Sequence, residues 1–319
     1  MRRALVVGSR GQDGTLLVEA LVARGDVVVG VDIGVVEPRG LAGEALPSSV
    51  SLVAQANVDA LIGPLQPDAV YYLAAHHHSS EGTAESAAEE IRGCVDVHVV
   101  GLATMLDALR RHAPKARVFY AGSSHMFGAP PCAPQDETTP FAPRTPYAIT
   151  KVAGAHLCAT HREHHGMGVS VGILYNHESS LRGPGFLSRR LVNAALRAVD
   201  DPGHKIALRS LEAAADFGSA PDFIDAMMRI VACPEAADFV VATGESHTVA
   251  EFAEAAFGAV GLDWRRHVEQ APRDRRESDA AAPSGAALVG DATKLRRATG
   301  WAPRLSFREM VASLVREAR

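Results

Sequence analysis

Short apolar, β-branched runs alternate along the chain with longer segments whose apolar residues recur at helical spacing. The runs at 4–7, 27–32, 69–73, 117–121, 169–175 and 238–242 read as strands. The helical patterns fall at 14–24, 84–111, 147–165, 187–199 and 219–231. Apolar strands separated by helices predict right-handed crossovers and a parallel sheet covered on both faces. The expectation is an α/β, Rossmann-type fold. After about Tyr175 the rhythm changes. Gly183-Pro184-Gly185 and Asp201-Pro202-Gly203 interrupt it and helices dominate, which predicts a smaller, mainly helical C-terminal part. No internal repeat is present, and the Ala-rich stretch 278–287 reads as a loop.

Composition narrows the class. At 319 residues the chain can bury a core without disulfide or metal staples. The balance of 32 Lys+Arg against 37 Asp+Glu leaves a net charge of −5, which argues against a nucleic-acid surface. No apolar run reaches the roughly 20 residues a membrane helix needs, and the glycines after Val7 break any signal-like stretch. Cys94, Cys132, Cys158 and Cys233 are scattered and form no CxxC pair, as in a reduced compartment. The expected protein is soluble and cytoplasmic.

Chemistry enters with Gly8-Ser9-Arg10-Gly11-Gln12-Asp13-Gly14, a GxxGxxG run between the first strand and the first helix. Small residues there let the backbone turn tightly and approach a pyrophosphate at the helix N-terminus. An ordinary strand-to-helix turn is the plain alternative. Asp32 ends the second strand about twenty residues on, where a carboxylate accepts hydrogen bonds from an adenosine ribose and repels a 2′-phosphate. That favours NAD, with NADP still open. Residues 1–175, with a return near 210–245, are then the expected dinucleotide-binding domain, and 176–319 the substrate domain.

Tyr147 and Lys151 stand at i and i+4 on a helix beginning at Pro146, so they share a face. An ammonium and a positively charged nicotinamide nearby should lower the phenol's ionisation and make it a usable acid/base. Ser123 lies at a strand end, where it can hydrogen-bond a substrate hydroxyl. His161, His164 and His165 recur at helical spacing without a carboxylate or cysteine partner, so no metal is expected.

With these residues in view, the chain resembles the extended short-chain dehydrogenase/reductases that modify nucleotide sugars, and most closely the GDP-mannose 4,6-dehydratase family. The matching segments are Gly11-Gln12-Asp13-Gly14, Tyr147-Ala148-Ile149-Thr150-Lys151 and Asn176-His177-Glu178-Ser179, with Asp216-Phe217-Gly218, Ala242-Thr243-Gly244-Glu245 and Gly300-Trp301-Ala302-Pro303 further on. They span almost the whole chain. The resemblance implies a nucleotide-diphosphate sugar as substrate and a homodimer or homotetramer. It places Ser123 in the role of a catalytic Thr, and His177 and Arg182 at the cofactor. Leu73, Ala74 and Ala75 would lie beneath the nicotinamide ribose, with His77 from the His76-His77-His78 run beside them. Asn176 and Arg276 would hold the substrate diphosphate. The bland readings are a loop cap for Asn176 and a solvated run with Arg273 and Arg275 for Arg276.

The chain also departs from the family pattern. His125 stands where the family has a catalytic Glu, two residues past Ser123, and alternation along an extended segment would turn both side chains to one face. Val50-Ser51-Leu52 replaces an adenine-contacting Gly-Asp-Leu, Ala215 replaces an Arg, and a double Arg after Asp32 is missing. The implied activity is a 4,6-dehydratase with His125 as base. A reductase or epimerase lacking the dehydration step, and a non-catalytic NAD(P)-binding sensor, remain the alternatives.

Overall fold

Strands without polar side chains on either face belong in the middle of a covered sheet, and the chain places them there. The computed structural model describes residues 2–39, 46–76, 86–271 and 287–319. The first half comprises β1 (Arg3–Val7), α1 (Gln12–Ala23), β2 (Val27–Asp32), β3 (Val35–Arg39), α2 (Gln55–Leu65), β4 (Ala69–Tyr72), α3 (Ala87–Val95), α4 (Gly101–His112), β5 (Arg117–Ser123), α5 (Pro146–His165) and β6 (Gly168–Leu174). The second comprises β7 (Asn176–Glu178), α6 (Leu187–Asp200), β8 (Ile206–Leu208), β9 (Ala214–Ser219), α7 (Ala220–Ala232), β10 (Asp238–Val241), β11 (Ser246–Thr248), α8 (Val249–Gly258), β12 (Val268–Gln270), α9 (Thr293–Thr299) and α10 (Phe307–Glu317).

Seven strands form one sheet in the order β10-β6-β5-β4-β1-β2-β3, parallel except for the edge strand β3. This is the expected Rossmann-type architecture. β10 returns to the sheet beside β6, and α7 packs on α1. One apolar core fills the sheet and its covering helices. A second gathers Leu191, Phe217, Phe252, Phe257, Val311 and Leu314 from α6, β9, α8 and α10.

Three features differ from the sequence expectation. β3 pairs antiparallel with β2 through a turn at Ile33-Gly34, both at positive φ. Its Glu37-Pro38-Arg39 is tolerated only because an edge strand leaves one side unpaired. α2, which carries Pro64 in its last turn, was masked by that proline. The helix expected over 84–111 runs from Ala87 to His112 with one π-helical turn, Asp96–Val100, inserted between α3 and α4.

Candidate active site

The strand order reverses between β1 and β4, and ligands of open α/β sheets bind at the carboxyl ends of the strands beside that reversal. Gly8 follows β1 with φ +91°, and a Cβ there would lie 2.7 Å from the backbone N of Ala74. A Cβ at Gly14 would lie 2.0 Å from the carbonyl oxygen of Gly8. Neither position accepts a side chain, so the turn, α1 and the Leu73-Ala74-Ala75 stretch close on one another as bare backbone. Gly11 caps α1, whose first amides point toward the turn. This cradle fits a dinucleotide pyrophosphate.

Asp32 lies at the same rim. Its Oδ2 accepts the backbone N–H of Arg10 at 2.8 Å, while the Arg10 guanidinium pairs with Glu37. Asp32 of β2 and Glu37 of β3 thus both engage Arg10, whose charge Glu37 neutralises.

Gln12 and Asp13, at the start of α1, reach across to the strand after β6. Asp13 Oδ2 meets His177 Nε2 at 2.9 Å, and His177 Nδ1 meets the Tyr175 carbonyl at 2.7 Å. Both ring nitrogens face acceptors, so His177 is an imidazolium. Burial works against this charge, but the Asp13 carboxylate and its hydrogen bond raise the His177 pKa. Burial likewise opposes the Asp13 carboxylate, and His177 overcomes it, holding Asp13 below the usual range. Gln12 Nε2 donates to the His177 carbonyl at 3.1 Å, and Ser179 Oγ donates to Gln12 Oε1 at 2.9 Å. The two motifs clasp each other through these bonds.

Tyr147 lies in the first turn of α5, set by the Thr145 cap and Pro146. Its hydroxyl is hydrogen-bonded to Ser123 at the end of β5, yet burial pushes it up to about 12. In the chain alone, burial outweighs the Ser123 hydrogen bond in setting the Tyr147 phenol. Burial pushes Lys151 down to about 7, and its Nζ donates to the Ala121 carbonyl at 2.7 Å, between the Tyr120 and Tyr147 rings. Burial thus weakens the positive charge that the i, i+4 spacing suggested beside Tyr147.

His125 reaches the site by a different route from the one expected. Residues Ser124–Phe127 form a 3-10 turn, not an extended segment, with the His125 N–H donating to Ser123 Oγ at 3.2 Å. The ring stands edge-on to Tyr147, centroids 6.1 Å apart. Burial lowers its pKa below the ordinary imidazole value. Arg182 lies over the Phe186 ring, 3.9 Å from its centroid, and 3.4 Å from Glu178. Asn176 is half-buried at the start of β7.

The profile of GDP-mannose 4,6 dehydratase matches residues 5–314. The chain belongs to the GDP-mannose 4,6-dehydratase family. GDP-mannose 4,6 dehydratase 1 of Arabidopsis thaliana is 35% identical over 98% of this chain and 89% of its own length. GDP-mannose 4,6-dehydratase of Yersinia enterocolitica is 28% identical over 99% and 93%. Among solved structures, a Thermus thermophilus UDP-glucose 4-epimerase complexed with NAD superposes with a TM-score of 0.80 at 22% identity, covering 99% of each chain. RMD of Pseudomonas aeruginosa, complexed with NADPH, gives 0.79 at 20%, covering 100% of this chain and 99% of its own. At such identities these two likenesses establish the fold.

In this GDP-mannose 4,6-dehydratase family member, Ser123, His125, Tyr147 and Lys151 converge as the sequence suggested. His77 and Arg276 lie outside the described residues. The sequence reading missed His98, which is fully buried with its ring edge-on to Tyr147, centroids 5.3 Å apart. Its one signal is a lone polar residue within the apolar run Val97-His98-Val99-Val100.

Proposed function

We propose that this chain is a nucleotide-sugar 4,6-dehydratase acting on a GDP-linked hexose, GDP-mannose in the first instance, with NAD as its bound cofactor. The observation that carries this reading is the cluster of Ser123, Tyr147 and His125 at the carboxyl end of β5, in a sheet whose β1 runs into the glycine cradle. Residues 1–175 with the returning β10 would hold the dinucleotide, and 176–319 the sugar nucleotide. Leu73, Ala74, Ala75 and Arg182 would flank the cofactor, and Asn176 the substrate. The free thiols suit a cytoplasmic enzyme, and assembly as a homodimer or homotetramer belongs to the same reading.

An oxidised nicotinamide, when bound, supplies the acceptor and later donor of hydride, and a positive charge beside Tyr147. Ser123 orients the sugar's O4 against Tyr147. Held protonated by burial, Tyr147 becomes a base only when positive charge lies next to it, which confines the chemistry to a loaded site. Tyr147 takes the O4 proton as C4 becomes a ketone. That ketone acidifies the C5–H. Held neutral by burial, His125 accepts the C5 proton and delivers a proton to the C6 oxygen, which leaves as water. C6 then receives hydride and C5 a proton, so the redox balance closes within one turnover.

His125 in place of a carboxylate also favours a second reading, a nucleotide-sugar reductase or epimerase that lacks the dehydration step. Mass spectrometry of GDP-mannose incubated with enzyme and NAD separates the two. The dehydratase reading expects a product lighter by one water, without net NADH. Net NADH, or a product of unchanged mass, supports the second.

A further inference from the structure

We infer that His98 is a positioning residue: it ties the cofactor-side loop after β4 to the first turn of the helix that carries Tyr147. The backbone N–H of His76 donates to His98 Nε2 at 3.0 Å. A backbone N–H only donates, so Nε2 holds a lone pair and the ring proton sits on Nδ1. Nδ1 is 2.8 Å from Thr150 Oγ1, and that hydroxyl lies 2.9 Å from the Pro146 carbonyl and 3.0 Å from the Tyr147 carbonyl. Each donor has a matching acceptor. The chain therefore runs in one direction, from the loop amide through the imidazole and hydroxyl to the backbone of the catalytic turn.

The surrounding backbone is built to place this ring. His98 lies in the π-helical turn of Asp96–Val100, and such turns re-aim side chains out of α-helical register. The Val97 carbonyl is satisfied by the Tyr72 hydroxyl at 2.7 Å. A Cβ at Gly101 would lie 2.8 Å from that hydroxyl, so the glycine leaves it room. On the other side, a Cβ at Gly93 would lie 2.7 Å from the His76 ring, so Gly93 lets the loop settle against α3. The loop in question continues from Ala74, which abuts Gly8 of the cradle. His98 thus sets the separation between the cofactor-side backbone and Tyr147, a role that rests on the cofactor site proposed above.

The test compares His98→Phe, His98→Gln, Thr150→Val and the Phe/Val double variant. NAD affinity is read by calorimetry, and kcat and KM with GDP-mannose. Phe keeps the ring edge against Tyr147 and removes both hydrogen bonds. Thr150→Val cuts the bridge without touching the core ring, which covers the case of a poorly folding His98 variant. The expectation is a loss of about tenfold in NAD affinity for His98→Phe, the scale of one broken buried hydrogen bond. A fall in kcat with little change in KM should accompany it. Gln reaches the Nε2 position and should restore NAD affinity. The double variant should be no worse than His98→Phe alone, because both changes cut one bridge. Wild-type NAD affinity in His98→Phe, or additive losses in the double variant, would overturn the assignment. A wild-type enzyme inert toward GDP-mannose whose NAD affinity still follows this pattern would count against the substrate, not against His98.

Discussion

His177 Nε2 and Asp13 Oδ2 meet at 2.9 Å across 164 residues of sequence, joining the strand after β6 to the helix that opens on the glycine turn. The pair makes stability depend on pH in a defined direction. The raised His177 pKa contributes stability in full below about pH 6.5, lost as pH rises through its elevated folded value. Depressed by the same contact, Asp13 contributes above about pH 3.9 and loses that only as pH falls through its lower folded value. Denaturant unfolding at pH 5.5 and pH 9 (about one unit below and two or more above a free imidazole) should show the clasp weakening on the alkaline side. Asp13→Asn should cost about 3 kcal/mol at the acidic pH, the scale of a broken buried ion pair, and less at the alkaline one. An equal cost at both would show that the pair carries no charge.

Tyr147→Phe removes the hydroxyl that bonds Ser123 and leaves the buried ring in place. Turnover should fall by about 10²–10⁴, the range of a lost general acid/base. NAD affinity and thermal stability should change little. A variant retaining a tenth of wild-type turnover would remove Tyr147 from the chemistry.

The Asp32 end of β2 is expected to set cofactor choice. Asp32 accepts the Arg10 N–H at the end of β2, and Glu37 on the neighbouring β3 neutralises the Arg10 guanidinium. Wild type should bind NAD more tightly than NADP. Glu37→Gln frees the guanidinium and should improve NADP binding about tenfold while NAD changes little, both read by calorimetry. Unchanged NADP affinity would place the ribose elsewhere.

His125 gives the rate profile its acid limb. Because burial lowers its pKa, neutral imidazole persists below pH 6.5, and kcat/KM should hold until below that value. His125→Gln should lose about 10²-fold or more in turnover. A limb at or above pH 6.5 would assign it to another group.

The sheet was legible because its strands are apolar on both faces, and the Tyr147–Lys151 pair because one helix presents both. The electrostatics were not. Spacing predicts proximity, whereas the ionisation of Tyr147 and Lys151 follows from burial, a property of the assembled core. Gln12, Asp13 and His177 were singled out as cofactor contacts, and the bonds that join them to one another span far-apart stretches of sequence that no local pattern reveals. His98 gave no periodic signal because the π-turn that carries it breaks the helical spacing on which such signals rest. β3 was hidden by Pro38 and its short polar run.

The central claim is that one site oxidises C4 and eliminates water by proton removal at C5, with His125 as the base. GDP-mannose turned over in heavy water by the NAD-loaded enzyme, with product analysed by mass spectrometry and NMR, tests it directly. The account predicts a product that has lost one water and carries solvent deuterium at C5, with hydrogen at C6 derived from C4, and no such product from His125→Gln. C4 oxidation with no deuterium at C5 in wild type, or undiminished C5 exchange in His125→Gln, would contradict it.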